Sequence, residues 1–183
     1  MIRPTLLVFL TLAGATALAQ NPAPHQHGVA RLDVALDRNT LRLEFSSPLD
    51  NILGFEHTPR NTEEKSALEA LIKRLQQGGS LFTMPPEAEC TLVSADVHSP
   101  FSEAPKAGKP AAHKHDHRDK ADQDHADLDA DYLFRCTTPA AARALEVRLF
   151  QHFPRLRQID VQAVLPAGQR GARLTPQNST LRW

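Results

Sequence analysis

Histidine is the residue placed most unevenly in this sequence. Four of the nine histidines, His113, His115, His117 and His125, fall within residues 111–131, among seven aspartates at 116, 119, 122, 124, 127, 129 and 131. Only Lys114, Arg118 and Lys120 offset those charges. Neutral imidazole is the commonest protein ligand for zinc, copper and nickel, and carboxylates draw divalent cations to the same place. A His-x-His-x-His spacing in a flexible chain can wrap one ion with two or three nitrogens. His125, Asp116, Asp124 or solvent would complete four-coordination. Ordering such a tract opposes binding, so modest affinity at several sites is expected. Ligating imidazoles must be uncharged, so affinity should fall below pH about 6.5. The pattern points to a divalent metal without selecting among zinc, nickel and copper. The competing reading is a solvated polar linker.

The remaining histidines are more scattered. His25 and His27 form His-x-His-Gly ahead of the first predicted strand. They are candidate ligands, or else part of an inert extended segment. His57 sits in Gly-Phe-Glu-His-Thr-Pro just before a predicted helix, where a lone histidine beside an acid is commonly a hydrogen-bonding residue. His98 ends a predicted strand and could join the tract. His152, between Phe150 and Phe153, reads as structural.

The elements that must position these residues follow from periodicity. Ala30, Leu32, Val34 and Leu36 alternate, Asp37-Arg38-Asn39 is a turn signal, and Leu41, Leu43 and Phe45 alternate again, which predicts a hairpin with one buried face. Over 60–77 the period becomes helical. Asn61 can cap, Leu68, Leu71, Ile72 and Leu75 form the stripe, and Gly78-Gly79 stops the run. Residues 81–84, 88–98 and 129–136 read as strands. If Cys90 faces Cys136, antiparallel pairing puts His98 opposite Leu128. Residues 99–128 have too little apolar content to offset ordering entropy and are expected to be disordered. Pro139 to Pro154 is expected to form a second helix through the repeat Leu145, Leu149, Phe153, although Leu145–Phe150 also alternates as a strand would. Ile159, Val161 and Ala163 predict a strand, with one or two short strands after it. The fold class expected is α+β: a mostly antiparallel sheet with two helices on one face and a disordered His/Asp-rich insertion in a hairpin.

Residues 1–19 read as a leader. Arg3 precedes the apolar run Leu6–Leu12, which is too short to span a bilayer, and Ala17-Leu18-Ala19 has the small-x-small form that a signal peptidase cleaves. The expectation is a signal peptide followed by a single domain, 20–183. Export would place Cys90 and Cys136, the only cysteines, in an oxidising compartment and favour one disulfide between them. Free thiols are the alternative.

With 21 basic and 21 acidic side chains, no global positive charge drives the protein to nucleic acid or anionic lipid. There is no His-Glu-x-x-His, Gly-x-Ser-x-Gly, P-loop or dinucleotide fingerprint. A zinc hydrolase would need three ligands and a base, for which Glu56 beside His57 is the only suggestive pair.

Several of these segments together carry a resemblance. They are His25-Gln-His-Gly-Val-Ala-Arg-Leu-Asp, Phe45-Ser-Ser-Pro-Leu-Asp-Asn-Ile-Leu-Gly-Phe-Glu-His-Thr-Pro59, the His/Asp-rich insertion before Tyr132-Leu-Phe-Arg-Cys136, and Leu149-Phe-Gln-His-Phe-Pro154. The chain resembles the ZrgA-like family of periplasmic zinc-uptake proteins over essentially its whole length after the leader. The resemblance implies zinc binding in the periplasm that assists high-affinity uptake, beside an inner-membrane zinc transporter or its binding protein. It favours His25, His27 and His57 as ligands. The sequence therefore predicts a non-enzymatic metal-binding protein. A metal buffer or resistance protein is the alternative, and a partner-docking module is compatible with both.

Overall fold

The computed structural model describes residues 26–102 and 126–183. The leader and most of the His/Asp-rich tract lie outside these residues.

The first hairpin joins β1 (Val29–Asp37) to β2 (Thr40–Pro48). Asp37 pairs with Thr40 across a two-residue turn, and Arg38 takes the left-handed conformation there at φ +52°. Alternate residues of both strands are buried, as the pattern predicts. Along the other edge of β2, β5 (Asp127–Cys136) pairs antiparallel from Thr40–Arg135 to Pro48–Asp127. β4 (Cys90–His98) adds outside β5. On the far side β7 (Gln158–Leu165) runs parallel to β1, and β8 (Gly168–Leu174) closes the edge. The large sheet has the order β4-β5-β2-β1-β7-β8 and is antiparallel apart from the β1–β7 contact.

A second, three-stranded sheet orders β3 (Phe82–Thr83), β6 (Ala144–Val147) and β9 (Thr180–Arg182) as β3-β6-β9. Its buried residues Phe82, Leu145, Val147 and Leu181 share one apolar core with Leu32, Leu43, Phe45, Tyr132, Phe134 and Ile159 of the large sheet. The rings of Phe82 and Tyr132 meet at 4.9 Å across the two layers. Burying these side chains is the main driving force for the domain.

Helices are short. α1 (Leu49–Ile52) is a single turn after β2. α2 (Thr62–Leu75) is the one long helix among the described residues and packs through Leu68, Leu71 and Leu75. Asn61 Oδ1 accepts the Glu64 amide at 2.8 Å, while the Glu64 carboxylate reaches back to the Arg60 amide at 2.6 Å, one residue before the cap. α3 (Gly78–Leu81) follows directly. A side chain at Gly78 would collide with the Tyr132 ring, so glycine here serves a close approach; α2 already ends at Leu75 with Gln76 as its C-cap, and Gly78 opens α3 rather than stopping a helix.

Three expectations are corrected. The second helix is absent: Pro139–Ala141 forms a single 3-10 turn, Ala144–Val147 is strand β6, and Leu149–His152 forms a single α-helical turn, α4. Alternation prevailed because β6 finds backbone partners on both sides, in β3 and β9. Leu145, Leu149 and Phe153 are all buried, so their four-residue repeat reports burial and not helix. Second, His98 stands opposite Asp129 and not Leu128. The register shifts between Leu92 and Ser94, where Val93 is the extra residue of a β-bulge and is 54% exposed. That one residue re-phases the strand and moves His98 from the core side, where Leu128 lies, to the outer face. Third, the insertion is narrower than 99–128. Ser99 is buried, Leu128 is fully buried in β5, and Ala126 accepts the Leu49 amide at 2.8 Å. Residues 103–125, the rest of the expected disordered segment, lie outside the described residues.

Cys90 and Cys136 pair in register and form a disulfide.

Candidate metal centre

His27 occupies the turn that leads into β1, and its position is set by the backbone beside it. Gly28 adopts φ +83°. Its amide donates to Asn51 Oδ1, and its carbonyl accepts the amides of Arg157 and Gln158 at 2.8 and 2.9 Å. Asn51 is 1% exposed. Its Nδ2 donates to the Val29 carbonyl at 2.9 Å and to Ser47 Oγ at 3.3 Å. A buried amide with all these groups satisfied fixes the approach to β1 against α1.

The imidazole of His27 meets a carboxylate. Nδ1 lies 3.3 Å from Asp50 Oδ2, and Asp50 Oδ1 accepts Arg155 Nη1 at 3.0 Å. Asp50 is supplied by the first turn of α1, and Arg155 by the loop between α4 and β7. The Arg155 guanidinium lies over Gly54, where a Cβ would stand 3.5 Å from Cζ. Gly54 itself has φ +96°, so the turn after α1 both needs glycine and leaves room for the arginine.

His57 is held separately. Its Nδ1 lies 3.1 Å from the Thr58 carbonyl and 3.9 Å from Glu64 Oε2, and its ring stacks on Phe55 at 4.9 Å. A carbonyl oxygen only accepts, so Nδ1 carries the hydrogen and the lone pair resides on Nε2. This is the arrangement in which ligating histidines are ordinarily held, one nitrogen oriented by an oxygen acceptor and the other presented to metal. His152 shows the reverse: Nδ1 lies 3.1 Å from Arg74 Nη1, which only donates, so its lone pair is spent in tying α4 to α2.

His98 lies on the outer face of β4, opposite Asp129 and two residues from Asp96. Asp96, Asp131, Glu44 and Asp33 follow one another directly across β4, β5, β2 and β1 on that face. Arg31 stands 3.5 Å from Asp33. An open groove of about 600 Å³ lies farther along the same face over β2, β1, β7 and β8. Arg31, Arg42, Asp33, Glu44 and Gln162 line it, and no histidine does.

Among the described residues, no three His, Cys, Asp or Glu side chains are gathered to hold a metal ion. His27, His57 and His98 are therefore not brought into one centre by the described residues alone. His25, His113, His115, His117, His125, Asp116 and Asp124 lie outside them. The residues that sequence reasoning missed are Asp50, Asn51 and Arg155. Asp50-Asn51 lay within the Phe45–Pro59 segment that carried the resemblance, but their partners are too distant in sequence for any spacing rule to connect.

Thus the described domain is a sheet-rich scaffold with His27 and His98 exposed and His57 half-buried at its surface. Residues 24–183 match the family model described as ZrgA family zinc uptake protein, and the chain belongs to that family. No curated protein matches the sequence. No described helix is long and apolar enough to cross a membrane.

Proposed function

We propose that the protein is a non-enzymatic, exported zinc-binding protein that captures the ion with its His/Asp-rich tract and assists high-affinity uptake. Membership of a zinc uptake family supports the metal and the process. The observation that carries the site is the hydrogen bond of His57, whose Nδ1 has the Thr58 carbonyl as acceptor, which suits Nε2 to zinc. In this reading the tract between β4 and β5 collects zinc through His113, His115, His117 and His125 with Asp116 and Asp124. The domain holds or passes it on through His27 and His57, with His25 as a further ligand.

The leader pattern of residues 1–19 and the Cys90–Cys136 disulfide support a periplasmic location. An inner-membrane zinc transporter is the partner this reading requires. Growth of a deletion strain under zinc starvation is the test. Impaired growth that zinc restores is the expected result. Sensitivity only to excess metal would instead mark a buffer or resistance protein.

A further inference from the structure

We infer that Arg74 and His152 form a docking point for a carboxylate of an acidic partner protein, with Arg74 the contacting residue and His152 its positioning residue; this goes beyond the zinc reading and does not rest on it. Arg74 stands in the last turn of α2 and His152 in the last turn of α4, and both are exposed. Arg74 Nη1 donates to His152 Nδ1 at 3.1 Å. A guanidinium can only donate, so Nδ1 accepts and the ring proton is on Nε2. The contact directs a long side chain without cancelling its charge. Among the described residues, that imidazole is the only side-chain partner of Arg74. Its own helix supplies no acid, since Ala70, Leu71, Gln77 and Gly78 stand three and four residues away on either side. No acidic residue occurs between Val147 and Ile159 either. The arginines that flank α4 differ: Arg148 is bridged to Glu146 and Arg155 to Asp50, each at 3.0 Å.

An arginine held in this way suits a carboxylate. The helix C-terminus accounts for a cation at this position. The guanidinium nevertheless keeps most of its N–H donors for an acceptor outside the chain, and its planar fork matches a carboxylate in two parallel hydrogen bonds. Because His152 already restrains the side chain, less freedom is lost when a partner binds. Lys73, exposed beside it, adds attraction for an acidic surface. An anionic bilayer is the weaker match. Lipid-binding segments use clusters of about 4–8 Lys and Arg, whereas carboxylates already neutralise Arg148 and Arg155 on either side of α4.

The test uses the purified, disulfide-bonded protein labelled with 15N, and a blocked oligo-aspartate peptide as the probe. In the free wild type the His152 ring should show the Nε2–H tautomer. On adding peptide, the Arg74 side-chain signal, identified by its loss in Arg74→Gln, should shift saturably, and added salt should weaken the response. Affinity is read from the backbone amides of α2 and α4, and Arg74→Gln should abolish it. His152→Leu, which removes the acceptor, should bind roughly 2–10-fold more weakly, the cost of ordering one long side chain. His152→Gln, whose amide oxygen can accept from Arg74, should restore wild-type affinity. Melting temperatures should match throughout, because both residues are exposed. An Nδ1–H ring, no saturable shift at Arg74, an equal shift at the ion-paired Arg148, undiminished binding by His152→Leu, or failure of His152→Gln to restore it overturns the inference. So does binding to phosphatidylglycerol vesicles that Arg74→Gln weakens while the peptide leaves Arg74 unmoved, which would assign the pair to lipid.

Discussion

Cys90 and Cys136 occupy the same rung of the β4–β5 ladder and are joined there by a disulfide. The pair closes a segment of 46 residues that includes the whole tract between the two strands. Tethering its ends removes conformational freedom from the unfolded chain, about 4 kcal/mol by the loop-entropy relation. Replacing both cysteines by alanine should lower the urea-derived unfolding free energy by an amount of that order. A loss below about 1 kcal/mol would show that the bond does not limit the unfolded state.

The tract can be removed more cleanly than composition suggested. Asp127 and Leu128 belong to β5 and the Ala126 carbonyl accepts the Leu49 amide, so the replaceable stretch must end at residue 125. Exchanging residues 111–125 for a short Gly/Ser linker should leave the melting temperature nearly unchanged, because loop length costs little. Zinc stoichiometry should fall. Full zinc capacity after the exchange would remove the tract from the account.

Asn51 should be among the costliest polar residues to lose. Asn51→Ala strips partners from the Gly28 amide, the Val29 carbonyl and Ser47 Oγ in a buried setting. A destabilisation of about 2–4 kcal/mol is expected from such orphaned groups. Hydrogen exchange should show the loss of protection concentrated at the Gly28 amide, the one that donates to Asn51. Wild-type protection at this amide in the variant would contradict the anchoring role.

Tyr132, the chain's single tyrosine, makes the opposite prediction. Its hydroxyl is buried with no hydrogen-bond partner among the described residues. Burial, and secondarily the charge of Asp131, pushes the phenol far above its ordinary range. Above pH about 10 the unfolded chain sheds this proton while the folded one retains it, so stability falls as pH rises. Tyr132→Phe should be neutral or stabilising by up to about 1 kcal/mol at neutral pH, and should flatten that alkaline loss. Phenolate absorbance should appear in wild type only as the protein unfolds; reversible titration near pH 10 in the folded state would contradict it.

Local patterning carried much of the scaffold. The alternation of Ala30–Leu36 and Leu41–Phe45 marked β1 and β2, and Asn61 with Leu68, Leu71 and Leu75 marked α2. The parallel pairing of β1 with β7 was invisible because it joins residues far apart whose burial pattern is the same in either direction. The bulge at Val93 does leave a trace, since the apolar positions change phase from Cys90 and Leu92 to Ala95 and Val97. The candidate site was legible only as residue types, and its supports were not. His27 and His57 could be singled out from sequence, whereas Asp50 acquires its meaning only when Arg155, 105 residues away, is folded against it.

Calorimetric titration of the purified, disulfide-bonded protein with Zn2+ at neutral pH, paired with its melting temperature, tests the central claim most directly. A saturable heat at micromolar zinc and a raised melting temperature are predicted, both fading below pH about 6.5 as imidazoles take up protons. A flat titration with an unmoved melting temperature would contradict the account.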